Sequence, residues 1–241
     1  MNSMKMFLYP IFVLGLVALI ASCNNAPAAQ ETPKKNTETV AAVPEVAFKP
    51  FPVSLSKITV ADFAKWNAGY EGHDSVRKSN GLTDLAVLRS IENPNNLLVV
   101  HKLADVEKAK SFFASPFMKE RRKAGGVLGE PDVSYYNFIR LDTSKSDFRD
   151  RLIITHRVKD FDAWLKVYDA EGKPARAAEG LVDRSLGRKV DDPNMIRISF
   201  TVTDMAKAKA AGASEAKKKL MMSAGVEGIP KIEFYRDTKS N

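Results

Sequence analysis

Residues near 53 to 136 recur, in register, near 151 to 235, and this internal repeat constrains the fold more than any other feature of the 241-residue chain. Val60, Asp62, Phe63, Trp66 and Tyr70 match Val158, Asp160, Phe161, Trp164 and Tyr168. After one inserted residue, Arg77, Gly81, Leu82, Asp84, Arg89, Pro94 and Asn95 match Arg176, Gly180, Leu181, Asp183, Arg188, Pro193 and Asn194. The same register then carries Asp105, Lys108, Ser115, Gly126, Gly129, Pro131 and Tyr136 onto Asp204, Lys207, Ser214, Gly225, Gly228, Pro230 and Tyr235. A period of roughly one hundred residues is too long for a solenoid unit, so each copy is predicted to be a domain-sized α+β module.

The second copy shows the element order more cleanly. Residues 152–158 are rich in β-branched side chains and read as a strand; Phe161, Trp164, Leu165 and Tyr168 then recur at helical spacing behind Asp160, a predicted N-cap. Gly180 ends the helix, 181–190 reads as a second strand, and Asp191-Asp192-Pro193-Asn194 is turn chemistry leading into a third at 196–202. Asp204 is predicted to cap a helix running through Leu220 and closed by Ala224-Gly225, with a short last strand at 231–235. The first copy follows, except that Ser115-Pro116 is predicted to break and restart its second helix. The order β-α-β-β-α-β is the split, ferredoxin-like arrangement with an antiparallel sheet.

Before the repeat, Lys5 is the only charged side chain among the first 22 residues, and an apolar run follows from Phe7 to Ala21. A run of about 15 apolar residues is short for a span of about 20, and suits a signal peptide instead. Ile20-Ala21-Ser22-Cys23 resembles a bacterial lipobox, which implies cleavage before Cys23 and lipidation of that sole cysteine. Asn24, where inner-membrane lipoproteins usually carry Asp, implies an outer-membrane lipoprotein facing the periplasm. Residues 24–52 are Ala, Pro, Thr, Glu, Asn and Lys with hardly an aromatic, a composition that cannot offset chain entropy and reads as a tether. The expected organisation is therefore a signal peptide at 1–22, lipidated Cys23 and tether over 23–52, and ferredoxin-like modules at 53–142 and 150–236.

The shared motifs of the two copies are Trp then Tyr on the first helix, Arg77/Arg176 before Gly-Leu-x-Asp, the Pro-Asn hairpin, Asp-x-x-Lys-Ala-Lys and Gly-Val-x-Gly-x-Pro. Together they resemble the dimeric α+β barrel superfamily, closest to small bacterial proteins of the antibiotic-biosynthesis-monooxygenase-like kind. That resemblance implies two modules pairing sheet against sheet on one chain as an intramolecular pseudo-dimer, monomeric beyond that. It implies no single activity, because the superfamily includes cofactor-free oxygenases, haem-handling enzymes, lactone isomerases and members with no known reaction.

Among the repeated residues, Trp66, Tyr70, Trp164 and Tyr168 lie on the apolar stripe of a helix and read as sheet-packing core. Arg77 and Arg176, Asp84 and Asp183, and Arg89 and Arg188 remain. They serve either to orient an anionic or carbonyl ligand or to form structural Asp–Arg bridges. The histidines break the symmetry: His101 stands where the second copy has Phe200, and His156 where the first has Ile58, so neither is needed by the common fold. Both are candidate bases or ligand contacts, whereas His73 reads as an exposed loop residue. The single cysteine excludes an internal disulfide, and no carboxylate or second histidine stands at metal-ligand spacing. No phosphate loop, nucleophile elbow or haem axial-ligand motif is present, so no cofactor is expected.

The net charge of +8 is concentrated in Lys119-Glu120-Arg121-Arg122-Lys123 and Lys217-Lys218-Lys219. With few aromatics interleaved, these runs read as solvated helix faces, or as faces toward anionic headgroups, and not as a nucleic-acid surface. Two readings of function follow. One is an envelope-anchored module whose barrel encloses a pocket for a small apolar or anionic ligand, or which presents a partner surface. The other is a cofactor-independent monooxygenase or isomerase acting on a small aromatic or polyketide-like compound, with His156 or His101 as base and Arg188 or Arg89 as anion stabiliser.

Overall fold

The computed structural model describes residues 48–239, so the stretch expected to be a signal peptide, Cys23 and nearly all of the stretch expected to be a tether lie outside the described residues. The first module comprises β1 (Phe51–Val60), α1 (Phe63–Gly72), α2 (Asp74–Ser79), β2 (Leu82–Ser90), β3 (Asn96–Leu103), α3 (Val106–Ala114), α4 (Pro116–Ala124) and β4 (Val127–Leu141). The second comprises β5 (Asp150–Val158), α5 (Phe161–Ala178), β6 (Leu181–Lys189), β7 (Met195–Val202), α6 (Met205–Ala213), α7 (Glu215–Ser223) and β8 (Val226–Asp237). Each is a β-α-β-β-α-β unit with an antiparallel sheet. The two sheets join through β2–β8 and β4–β6 into one closed barrel, ordered β1-β3-β2-β8-β5-β7-β6-β4.

Local chemistry places the helices. Asp62, Asp105, Asp160 and Asp204 each hold extended backbone and accept a hydrogen bond from the amide three residues on, satisfying a donor the helix leaves free. Ser115 caps α4 with Pro116 in its first turn, as the sequence predicts. Ser214 does the same in the second module, accepting from the Lys217 amide, so the helix expected to run through Leu220 breaks at Ser214 into α6 and α7. The serine alone suffices; proline is not required. The last strand is also longer than its 231–235 core, because Gly228 at φ 68° lets the chain bulge past Pro230 and stay in the sheet. At the other end β1 begins at Phe51, inside the stretch read as tether, where Phe51 pairs with Phe138 in the ladder and packs on its ring at 6.1 Å.

Strand parity divides the core in two. Val53, Leu55, Leu88, Leu98, Val100, Tyr136, Phe138, Ile153 and Tyr235 point inward and fill the barrel. The alternate rows face the helices: Val60, Val87, Leu97 and Val99 under Trp66, and Leu152, Ile196, Ile198 and Phe200 under Phe161 and Trp164. The expectation that the barrel itself encloses the ligand pocket is thus corrected. Large inward side chains occupy its centre, and Gly187 exists to admit one of them, since a Cβ there would sit 2.8 Å from the Phe138 ring.

Candidate functional site

Each module instead carries a cavity between its sheet and its helices. The first, of about 200 Å³, lies over β1 and β3 under α1, α3 and α4; the second, of about 410 Å³, lies over β5 and β7 under α5, α6 and α7. Trp66 and Tyr70 line the first, and Trp164 and Tyr168 the second, so these aromatics both pack on the sheet and form cavity wall. Trp66 stacks on Tyr70 at 4.8 Å and Trp164 on Tyr168 at 5.0 Å.

Behind each tyrosine stands the Arg–Asp pair that the repeat singled out. Arg77 donates from Nε and Nη2 to both carboxylate oxygens of Asp84, each at 2.9 Å, and its guanidinium lies 3.7 Å from the Tyr70 ring centre. Arg176 repeats this with Asp183, at 2.7 Å twice and 4.1 Å from Tyr168. Arg77 and Arg176 also donate to the carbonyls of Tyr70 and Tyr168. With the fork engaged at both ends, these arginines tie the first helical segment of each module to its sheet, which is the structural alternative left open above. Partial burial pushes the Asp84 carboxyl up, but the hydrogen bond and charge of Arg77, with Tyr70 and His101, together hold it below its usual value.

Arg89 and Arg188 are not brought to these sites. Each donates from Nε to a hairpin carbonyl, Pro94 or Pro193, at 2.8 Å, and covers the ring of Phe63 or Phe161 at 4.1 and 3.9 Å. They fasten the β2-β3 and β6-β7 hairpins to the helix starts, and neither lines a helix-side cavity. They sit at the far end of β2 and β6 from Asp84 and Asp183, and Arg188 shares a cross-strand row with Ile196 and His156.

The two histidines occupy opposite modules and differ in their surroundings. In the first module, cross-strand register sets Ser54, His101 and Asp84 side by side across β1, β3 and β2. His101 Nε2 lies 3.0 Å from the Tyr70 hydroxyl and 3.6 Å from Asp84, while Nδ1 lies 3.4 Å from the Ser54 hydroxyl. Burial pulls its pKa down to about 4 despite Asp84, so the ring is a neutral member of a satisfied network. The equivalent row in the second module is Leu152, Phe200 and Asp183.

His156 stands in another row of β5, opposite Ile196, where the first module sets Ile58 against Leu97. It is 5 % exposed, meets Trp164 edge to face at 5.8 Å, and lines the larger cavity. Both of its ring nitrogens are buried without a hydrogen-bond partner. Burial alone pulls its pKa down to about 4, leaving a neutral imidazole with one donor and one acceptor unmet.

Around the cavity mouths the structure shows residues that the sequence reading passed over. Arg121 and Arg122, read as solvated helix face, line the mouth of the first cavity, as does His73, which is half-buried and edge-on to Phe117 at 5.8 Å. At the second mouth Lys217 of α7 is bound to Glu171 and Glu179 of the α5 segment, at 2.5 and 2.7 Å. The signal for these residues lay in the positions where the copies differ, because Arg121 and Arg122 stand against Leu220 and Met221 of the second copy. Among the described residues no His, Cys, Asp and Glu side chains gather as a metal-binding cluster, and no helix is long and apolar enough to cross a membrane.

No family model and no curated protein matches the sequence. Solved structures do match the fold. A protein of Lactobacillus acidophilus NCFM, provisionally designated a monooxygenase, is 15 % identical with a TM-score of 0.54, over 78 % of this chain and 95 % of that one. An anthrone oxidase-like protein is 13 % identical with a TM-score of 0.55, over 78 % and 92 %. A protein of Fusobacterium nucleatum subsp. nucleatum ATCC 25586, also provisionally designated a monooxygenase, is 12 % identical with a TM-score of 0.52, over 79 % and 93 %. The chain has the ferredoxin-like α+β barrel fold of these proteins, with both modules on one polypeptide.

Proposed function

We propose that this chain is an envelope-tethered binding protein for a small apolar molecule carrying one neutral hydrogen-bonding group, held in the cavity of the second module. The observation that carries the reading is His156: a buried imidazole with both nitrogens unmet, in the wall of an apolar cavity of about 410 Å³. A buried polar group without a partner costs about 1–3 kcal/mol, a penalty that a ligand hydroxyl or carbonyl removes on binding. The neutral ring meets a neutral group; it carries no charge to balance an anion. Native mass spectrometry of the purified full chain tests retention of such a molecule. In titration, 1-naphthol is expected to bind roughly tenfold more tightly than naphthalene, and His156→Ile to erase the difference. Equal binding of the two by the unmodified protein overturns the reading.

The second reading is a cofactor-independent oxygenase or isomerase at the same cavity. What favours it is the same unpaired imidazole, unprotonated at neutral pH, with a nitrogen open to accept a hydrogen bond from the hydroxyl of an enolic or phenolic substrate. Dioxygen consumption that requires a bound phenol and is lost in His156→Ile distinguishes it from binding alone.

Tethering rests on Lys5, the apolar run to Ala21 and Ile20-Ala21-Ser22-Cys23, with Asn24 favouring the periplasmic face of the outer membrane. Incorporation of labelled palmitate into the chain but not into Cys23→Ala tests the anchor, and membrane fractionation tests the location.

A further inference from the structure

The two cavities share a frame but not a chemistry. The second is walled largely by aliphatic side chains, among them Leu152, Ile154, Ile198, Leu220 and Met221; Lys217 and Arg176 are paired with Glu171, Glu179 and Asp183, and Lys209 lies over the Phe234 ring at 5.6 Å. The first is walled by rings: Trp66, Tyr70, His101, Phe112, Phe113 and Phe117. No Asp or Glu is among the residues that line it, whereas Lys65, Arg121 and Arg122 all do. At the matching positions the second module has Ala163, Leu220 and Met221. The two copies share a cavity frame, and the arginines Arg121 and Arg122 at the mouth belong to the first alone.

From this contrast we propose that the first module's cavity is a separate binding site for a small aromatic anion. The ring of the ligand lies among Trp66, Phe112 and Phe113, and its carboxylate or phosphate meets Arg121 and Lys65 at the mouth. The size agrees: a cavity of about 150 Å³ admits benzene, so about 200 Å³ holds a single ring and not a fused polycycle. The orientation follows from charge. The inner end of the cavity is closed by the satisfied Tyr70–His101–Ser54 network with Asp84 behind it, which offers an anion neither a free donor nor a cation. Arg77 is already occupied by Asp84. At the mouth, Arg121 and Lys65 are exposed, and neither makes an ion pair among the described residues. Guanidinium accepts carboxylate and phosphate alike in a two-pronged contact.

Trp66 and Trp164 are the two tryptophans of the chain, one in each cavity, so their indole N–H resonances report the sites separately. The full chain is titrated with phenylacetate, phenyl phosphate and neutral phenylacetamide, with assignment from Trp164→Phe. The expected result is that an anion shifts the Trp66 resonance and binds roughly tenfold more tightly than phenylacetamide, with the margin shrinking as salt is raised. Arg121→Leu, which installs the second module's residue, is expected to remove the margin while phenylacetamide still binds. Equal affinity for charged and neutral probes, a response at Trp164 alone, or no response at Trp66 with millimolar anion overturns the proposal. If Arg121→Leu does not fold, the salt titration of the unmodified protein decides. The site is independent of His156, so failure here leaves the second module's reading standing.

Discussion

His156 and Trp164 meet edge to face, ring centroids 5.8 Å apart and planes at 62°, so that the imidazole is pinned in the cavity wall with both nitrogens unmet. The first module sets Ile58 at the same place. His156→Ile is therefore expected to stabilise the ligand-free protein by about 1 kcal/mol, by removing an unsatisfied buried group, while weakening ligand binding. Chemical denaturation alongside 1-naphthol titration checks both; a loss of stability in the ligand-free variant would show that His156 is satisfied by something internal.

Acid sensitivity follows from both buried imidazoles. Burial disfavours the charged ring of His101 and His156 and pulls both down from the ordinary 6.5 to about 4 in the folded chain. The unfolded chain therefore binds more protons between these values, and the stability at stake is fully present above about pH 6.5 and is lost as pH falls toward 4. Thermal unfolding of the full chain between pH 7 and pH 4 is expected to show this decline. In His156→Ile the slope is expected to be shallower.

Arg176 and Asp183 form a two-pronged pair with the arginine almost fully buried. Arg176→Met is expected to cost about 3 kcal/mol, because it strands a carboxylate and frees the Tyr168 carbonyl. Adding Asp183→Leu is expected to restore much of the loss. Denaturant midpoints of the two variants make the comparison, and an additive double variant would contradict the pairing.

Gly180 combines a φ of 77° with an approach to Asp204 so close that a Cβ would lie 2.7 Å from its carbonyl oxygen. Backbone there cannot swing aside like a flexible side-chain tip. Gly180→Ala is expected to lose about 2 kcal/mol or more through left-handed strain and the clash together, read from the thermal midpoint.

Lys217 bridges α7 to Glu171 and Glu179 across the mouth of the larger cavity. Lys217→Met, the residue found at Met118 in the first module, is expected to speed 1-naphthol release several-fold with a smaller effect on the association rate. Stopped-flow displacement measures this; unchanged release would mean that the ligand leaves by another route.

Much of the architecture was legible because it is written twice. Two copies in one register reveal which positions the fold needs, and local rules then supply the strands, the aspartate caps and the Pro-Asn hairpins. The Asp–Arg pairs were visible as candidates, but their saturation was not, since it depends on the Tyr70 and Tyr168 carbonyls arriving from the helix. Ser214 as a helix break was missed because a lone serine inside a helical pattern is ambiguous without its neighbours' geometry. The basic run at Lys119–Lys123 was read as one solvated face, although helical rotation sends Arg121 and Arg122 to the cavity mouth.

By itself the sequence determined a duplicated β-α-β-β-α-β chain, because periodicity, capping and turn chemistry act over a few residues and the repeat makes them redundant. Tertiary structure alone decided where the empty space lies. Which row of a strand faces the barrel is a matter of parity and register, and a one-residue shift exchanges the two faces. Only the assembled barrel shows that its centre is filled, that the cavities lie under the helices, and that His101 is satisfied by Tyr70 while His156, in another row of the other module, is left with nothing to bond.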